Sequence, residues 1–309
     1  MGKASKRRAT RHTGSSGGSE VSRPAPFVHR PFEGMPGETE WVALRELLPA
    51  ATAPVQLLVD ALPDADADGG ARTATVTTVL PLAWPALHRG GGDVFVATQS
   101  GATSGDASRD LAAALLLALS AEEGTAVTSV PTPTADSPRL QDLLDISDEA
   151  PAFRATVHEG FDYWVSDAAD LDADGRASLE QANASVIPTT RVTSDAPSAA
   201  SVYWCQINDR TYVRWVLPYA EDAATDAIAR LHAAGDSLLT PDTRLLGAFR
   251  AAGLLVPVWE VPADAAPESF DGPVTELAAR LEAAVSDAPL TVDERRAKAG
   301  LLSRQVTLR

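Results

Sequence analysis

The chain holds one cysteine, Cys205, among its 309 residues. No intrachain disulfide can form, and no cysteine-based zinc site can be assembled. Lysine is nearly as scarce, with Lys3, Lys6 and Lys298 alone. No Gly-x-x-x-x-Gly-Lys-Ser/Thr loop occurs to cradle a nucleotide's phosphates. The histidines, His12, His29, His88, His158 and His232, are scattered, without the close helical pairing of a metalloprotease. A Gly-x-Ser-x-Gly elbow is missing too. The longest apolar run, Leu111 to Leu119, is about half a membrane span. Nothing before Trp41 resembles the apolar core of a signal peptide, and none follows the pair Arg7-Arg8. No membrane contact, metal or cofactor is expected, and the expected compartment is the cytoplasm.

What is present is acidity, unevenly spread. The formal charge is −16. The first 30 residues hold Lys3, Lys6, Arg7, Arg8, Arg11, Arg23 and Arg30 against Glu20 alone. Setting these aside leaves 19 basic and 41 acidic residues of the 26 and 42 in the chain. A body that acidic repels phosphate backbones and makes a poor nucleic-acid binder. The cluster Lys3, Lys6, Arg7, Arg8 and Arg11 is the candidate polyanion contact, for RNA or the ribosome or for the acidic body itself. Residues 1–26 have almost nothing to bury and read as a disordered tail.

Periodicity predicts an α+β fold. A helix over Gly37 to Leu48 carries Trp41, Leu44, Leu47 and Leu48 on one stripe. Strands follow at Val55–Val59, Thr73–Leu80 and Asp93–Thr98, with Gly90-Gly91-Gly92 as a hinge. A helix over Asp110–Ala121 and a strand from Thr125 to Val130 precede a Pro-rich linker. Beyond it come a strand at Phe161–Val165, a helix at Arg176–Ala184 and a strand at Val186–Val192. Two apolar runs then flank Asn208-Asp209, a pair suited to a tight hairpin turn. A helix over Glu221–Ala234, another from Thr240-Pro241 to a C-terminal glycine at Gly253, and a strand at Leu254–Val261 follow. The pattern Val274, Leu277, Leu281, Val285 marks an amphipathic helix, and Thr291 with Glu294 a capping box. Leu47-Leu48-Pro49 and Val79-Leu80-Pro81 are echoed by Val186-Ile187-Pro188 and Val216-Leu217-Pro218. This suggests two related halves, each helix, strand, strand, helix, strand, with mainly antiparallel sheets. The expected divisions are 1–26, 27–136, 137–290 and a short helix with a basic tail at 291–309.

Several segments resemble one family. They are Pro31-Phe32-Glu33-Gly34-Met35-Pro36-Gly37-Glu38 with Trp41 to Arg45, Tyr203-Trp204-Cys205, Arg214 to Pro218, Gly253 to Trp259, and Glu294-Arg295-Arg296-Ala297. The family is an actinobacterial group carried as a domain of unknown function, and the resemblance covers nearly everything past residue 27. Members are sometimes labelled preprotein translocase ATPase or topoisomerase. The missing phosphate loop and the three lysines support neither label. The resemblance implies a lineage and brings no catalytic residues.

The remaining signals have bland explanations. Asp64-x-Asp66-x-Asp68-Gly69 and Asp170-x-Asp172-x-Asp174-Gly175 place Thr75 and Gln181 where a calcium loop needs a bidentate Glu, so they read as solvated turns. Cys205 sits mid-strand with no nearby histidine and reads as a packing residue. The hairpin is more informative. Its register puts Val202, Trp204, Val213 and Trp215 on one face, the core. Tyr203, Cys205, Arg210, Tyr212 and Arg214 fall on the other. Tyr203, Arg210, Tyr212 and Arg214 are candidate binding residues, because Tyr and Arg are enriched at binding hot spots. Three functions stay open: an adaptor or chaperone-like binder of a protein partner, an enzyme using carboxylates or His158 between the halves, and an RNA-associated factor.

Overall fold

The computed structural model describes residues 23–58, 73–101, 104–147, 150–167 and 171–303. The cluster Lys3 to Arg11, the ladder Asp64 to Gly69 and Asp170 lie outside them. The fold is α+β, with two sheets that are mainly antiparallel.

The first sheet is built from β1 (Ala51–Gln56), β2 (Thr73–Thr77), β3 (Ala86–Arg89), β4 (Asp93–Ala97), β5 (Thr125–Val127) and β6 (Thr156–Val157). Its strand order is β5-β3-β4-β2-β1-β6, with only β2 and β4 parallel. Helices α1 (Glu38–Glu46) and α2 (Ala107–Leu119) share a core with its inner face, where Ala51, Ala53, Val55, Val76, Val94 and Val96 are buried. Alternation sends Leu87, Phe95 and Ala97 to the outer face. Helix α1 starts at Gly37, which has φ 69° and whose Cβ, if present, would lie 2.8 Å from the Phe153 carbonyl oxygen. Only glycine fits both demands. Helix α2 begins three residues before the expected Asp110, because the buried Asp106 carboxylate caps the amides of Ser108 and Arg109.

The second sheet runs β10-β11-β9-β8-β7 and is antiparallel throughout. Its strands are β7 (Thr189–Arg191), β8 (Val202–Ile207), β9 (Arg210–Trp215), β10 (Arg244–Ala251) and β11 (Leu254–Val261). Helix α3 (Ala173–Asn183) precedes it, and α4 (Glu221–Ala234), α5 (Asp271–Ala284) and α6 (Val292–Ser303) belong with it. Thr291 and Glu294 form the expected reciprocal cap of α6. The hairpin register is the one the sequence predicts, from Val202↔Trp215 to Ile207↔Arg210, with Asn208 at φ 56°. One face, with Val202, Val213, Trp215 and Trp259, packs on α4 and α5. Trp204 points the same way and is half-buried.

Three expectations need correction. The segment after Thr240-Pro241 is strand β10 rather than a helix. Gly253 does not cap a helix; with Ala252 it makes the tight turn joining β10 to β11, at φ 43° and 84°. Both roles need positive φ, so the glycine alone did not discriminate. Phe161–Val165 is not a strand but a 3-10 turn at Asp162–Trp164. Its aromatic residues stack on the sheet instead of pairing in it, with Phe161 and Trp164 rings 4.3 Å apart. The triple glycine is the turn of the β3–β4 hairpin rather than a hinge. The five-element unit expected of each half is enlarged differently in the two. The first places the β3–β4 hairpin before α2, and the second places β10 and β11 after α4.

Candidate functional site

The hairpin face proposed for binding is buried. Tyr203, Tyr212 and Arg214 are 0%, 6% and 7% exposed. Tyr203 joins the core of the first half together with Val216, Leu254 and Val256, Arg214 reaches Leu47, and Tyr212 packs with Cys205 and Val258 against Ile187, Ile207 and Leu246 of its own half. The centre of this contact is Glu40 of α1. Arg191 of β7 grips it bidentately at 2.7 and 2.6 Å, Ser201 donates at 2.6 Å, and the Ala155 amide at 2.9 Å. The Tyr203 hydroxyl donates as well, 3.1 Å from Oε1, and Arg191 lies over the Tyr203 ring. Burial pushes the Glu40 pKa up, but the Arg191 guanidinium and the Ser201 and Ala155 donors outweigh it and hold the carboxylate below its ordinary range. The Tyr203 phenol is pushed well up by burial and by the Glu40 charge. Arg214 donates to the Leu47 carbonyl at the end of α1, a helix C-terminus that favours a cation. Only Arg210 reaches solvent, 3.7 Å from Glu260. Of these residues, Tyr203 and Arg214 contact the other half of the same chain, whereas Tyr212 and Arg210 contact their own.

The other singled-out residues are structural. Cys205 is buried, which raises its thiol pKa against the opposing Arg214 charge. Asp172 caps α3 by accepting from the Gly175 amide, and so belongs to a helix start rather than a calcium loop. Among the described residues no cluster of three or more His, Cys, Asp or Glu could hold a metal. His158 lies half-buried with Nε2 2.8 Å from Thr52 Oγ1. Burial lowers its pKa, with Asp162 opposing. The cleft between the halves, about 350 Å³, brings Phe27, His29, Arg45, Glu46, Asp110 and Arg250 together. These charged groups already face partners: Arg45 donates to the Thr98 carbonyl and to Glu46, Asp110 accepts from the Ser104 amide, and Arg250 pairs with Glu221.

The outer face of the first sheet is different. Leu80, Phe95 and Ala97 are its buried floor, and Trp84, Leu87, Tyr163 and Trp164 are half-buried over it. The cover is the three-residue turn at Asp162–Trp164, held by the Trp164 indole donating to the Val79 carbonyl at 2.9 Å. Beside it stands Leu82, 87% exposed. Pro81 and Pro85 bracket its loop, and both Leu82 (φ 53°) and Ala83 (φ 56°) are left-handed. That conformation costs an L-residue roughly 1–2 kcal/mol each. Backbone strain of this kind concentrates at functional sites. The charge around the face is acidic, with Asp93, Glu159, Asp162 and Asp167 exposed. Arg89 is engaged by the Tyr163 and Val165 carbonyls and Asp93, and lies 4.6 Å above the Phe95 ring.

None of these residues was singled out from sequence. The available signal was the Pro-bracketed Leu82-Ala83-Trp84 and the density of aromatics at Phe161 to Trp164.

Two mainly antiparallel sheets joined at a buried carboxylate, with an aromatic face on the first, define an α+β protein. The chain belongs to the family of unknown function DUF5926, whose model matches residues 31–309. No curated protein and no solved structure matches it. No helix among the described residues is long and apolar enough to cross a membrane.

Proposed function

We propose that this chain is a non-enzymatic, cytoplasmic binding protein that holds a basic polypeptide segment of a partner protein on the outer face of the first sheet. The observation that carries the reading is Leu82, fully displayed at a loop whose left-handed backbone works against stability. Around it Trp84 and Trp164 are residue types that dominate binding hot spots. An exposed apolar surface rimmed by charge marks an interaction site. Its acidic rim favours a cationic partner and repels nucleic-acid phosphates. The test is a titration with short Lys/Arg-rich peptides carrying one leucine or phenylalanine, against acidic peptides of equal apolarity. Saturable binding of the basic set, weakened at least tenfold by Leu82→Asp with an unchanged melting temperature, is expected. Equal binding of both sets, or an L82D variant of full affinity, overturns the reading.

A further inference from the structure

Among the described residues, strand β1 has a gap in its outer edge. Strand β6 covers only Ala51 and Thr52, and the next contact on that side is the Leu57↔Leu144 bridge. The carbonyls of Ala50 and Gln56 point to this side, accepting from the amides of His158 and Asp145, whereas the Ala51 carbonyl points to β2. Alternation along the strand turns the Pro54 carbonyl the same way as that of Gln56. Proline at position 54 has no N–H to leave unpaired at the gap, and its carbonyl is an acceptor without a ladder partner among the described residues.

A cavity of about 90 Å³ opens against this gap. Its walls include Met35, Val55 and Ile146, and Trp41 stacked on Phe153 with ring centroids 3.8 Å apart. Asp145 lines it, with one carboxylate oxygen accepting from the Ser147 amide. The Ser147 contacts keep that carboxylate ionised by lowering its pKa. No basic side chain of the described residues lines the cavity. An apolar cavity of roughly 150 Å³ accommodates benzene, so this one suits a chain of about three or four carbons.

We infer that this niche is a binding site for a short primary alkylammonium group, the alkyl chain lying against the Trp41–Phe153 stack and the ammonium donating to the Pro54 carbonyl and the Asp145 carboxylate. An ammonium brings three donors and no acceptor, which complements a polar end offering a carbonyl and a carboxylate. The site shares no lining residue with the aromatic face around Leu82 and stands independently of it.

The test is calorimetric titration of the full chain with n-butylammonium, n-butanol, butyrate and ammonium chloride, following the Trp41 indole N–H signal by NMR. Saturable binding of butylammonium that moves the Trp41 signal is expected, with each comparison compound at least tenfold weaker. Asp145→Asn should lower butylammonium affinity at least tenfold and leave the melting temperature in place, since the asparagine keeps an oxygen for the Ser147 amide. Ala150→Phe, which narrows the niche, should lower it as well. Butanol binding as well as the amine, an unmoved Trp41 signal, or a D145N variant of full affinity overturns the inference.

Discussion

The two sheets treat their second faces in opposite ways. The second sheet has α4 and α5 on one side and, over Tyr203, Leu254 and Val256, the first half on the other, so that Tyr203 and Trp215, on opposite faces, are both fully buried. Among the described residues the first sheet has a helix layer on one side only, and on the other stand the three-residue turn and the half-buried Trp84 and Leu87. Aromatic and arginine side chains on a sheet face therefore signal contact without saying whether the partner is another part of the chain. The hidden face should respond to mutation as stability and the open face as binding.

The sharpest test removes the lock between the halves. Glu40→Ala leaves Arg191 buried without its carboxylate, and loss of one partner of a buried pair costs about 3–5 kcal/mol. Denaturant unfolding should show that loss, and a change near zero would mean the halves are held by apolar contact alone. The same pair gives a pH signature. The folded-state pKa of Glu40 is depressed, so its contribution is present above the ordinary glutamate value of about 4.3. It is lost as pH falls through the lower folded value. The difference between wild-type and E40Q melts should therefore be steady near pH 6 and narrow as pH falls below about 4.3.

Trp215→Ala should cost about 3–5 kcal/mol, as a large core truncation does, and Trp204→Ala visibly less because that indole is half-buried. Equal costs would break the assignment of the two tryptophans. Next comes Gly37→Ala, which places a Cβ 2.8 Å from the Phe153 carbonyl at positive φ. A loss of about 1–3 kcal/mol is expected in chemical unfolding, and a neutral result would mean the 153 segment yields freely.

The smallest effect on stability is expected at Leu82. Leu82→Gly relieves a left-handed leucine and should stabilise by up to about 1 kcal/mol, while affinity for the basic peptides falls. A variant that loses stability instead would show that Leu82 packs, and would erase the contrast between the faces.

Local chemistry was readable and long-range placement was not. Asn208-Asp209 and strict alternation gave the hairpin register residue by residue, because turn geometry and pleat are both set within a few positions. That Tyr203 on the second side of that hairpin is buried depends on α1, some 160 residues earlier, and no local pattern encodes it. Strand β10 was misread as a helix because Gly253 serves a hairpin turn with the backbone a helix end would need. The open face was missed since it is assembled from Leu80, Phe95 and Trp164, which only the fold brings together.

The carboxylate at the heart of α1 also imposes a timetable on synthesis. Its partners Arg191, Ser201 and Tyr203 are translated about 150 residues later, and the first core is completed only by Leu254 and Val256. A nascent chain grows at roughly 5–20 residues per second. For some ten seconds or more the first half therefore waits with Glu40 unpaired and one side of its core unroofed. The first half therefore cannot be completed before the second has been made. A truncation ending near residue 190 should consequently be caught by chaperones rather than accumulate as a folded fragment.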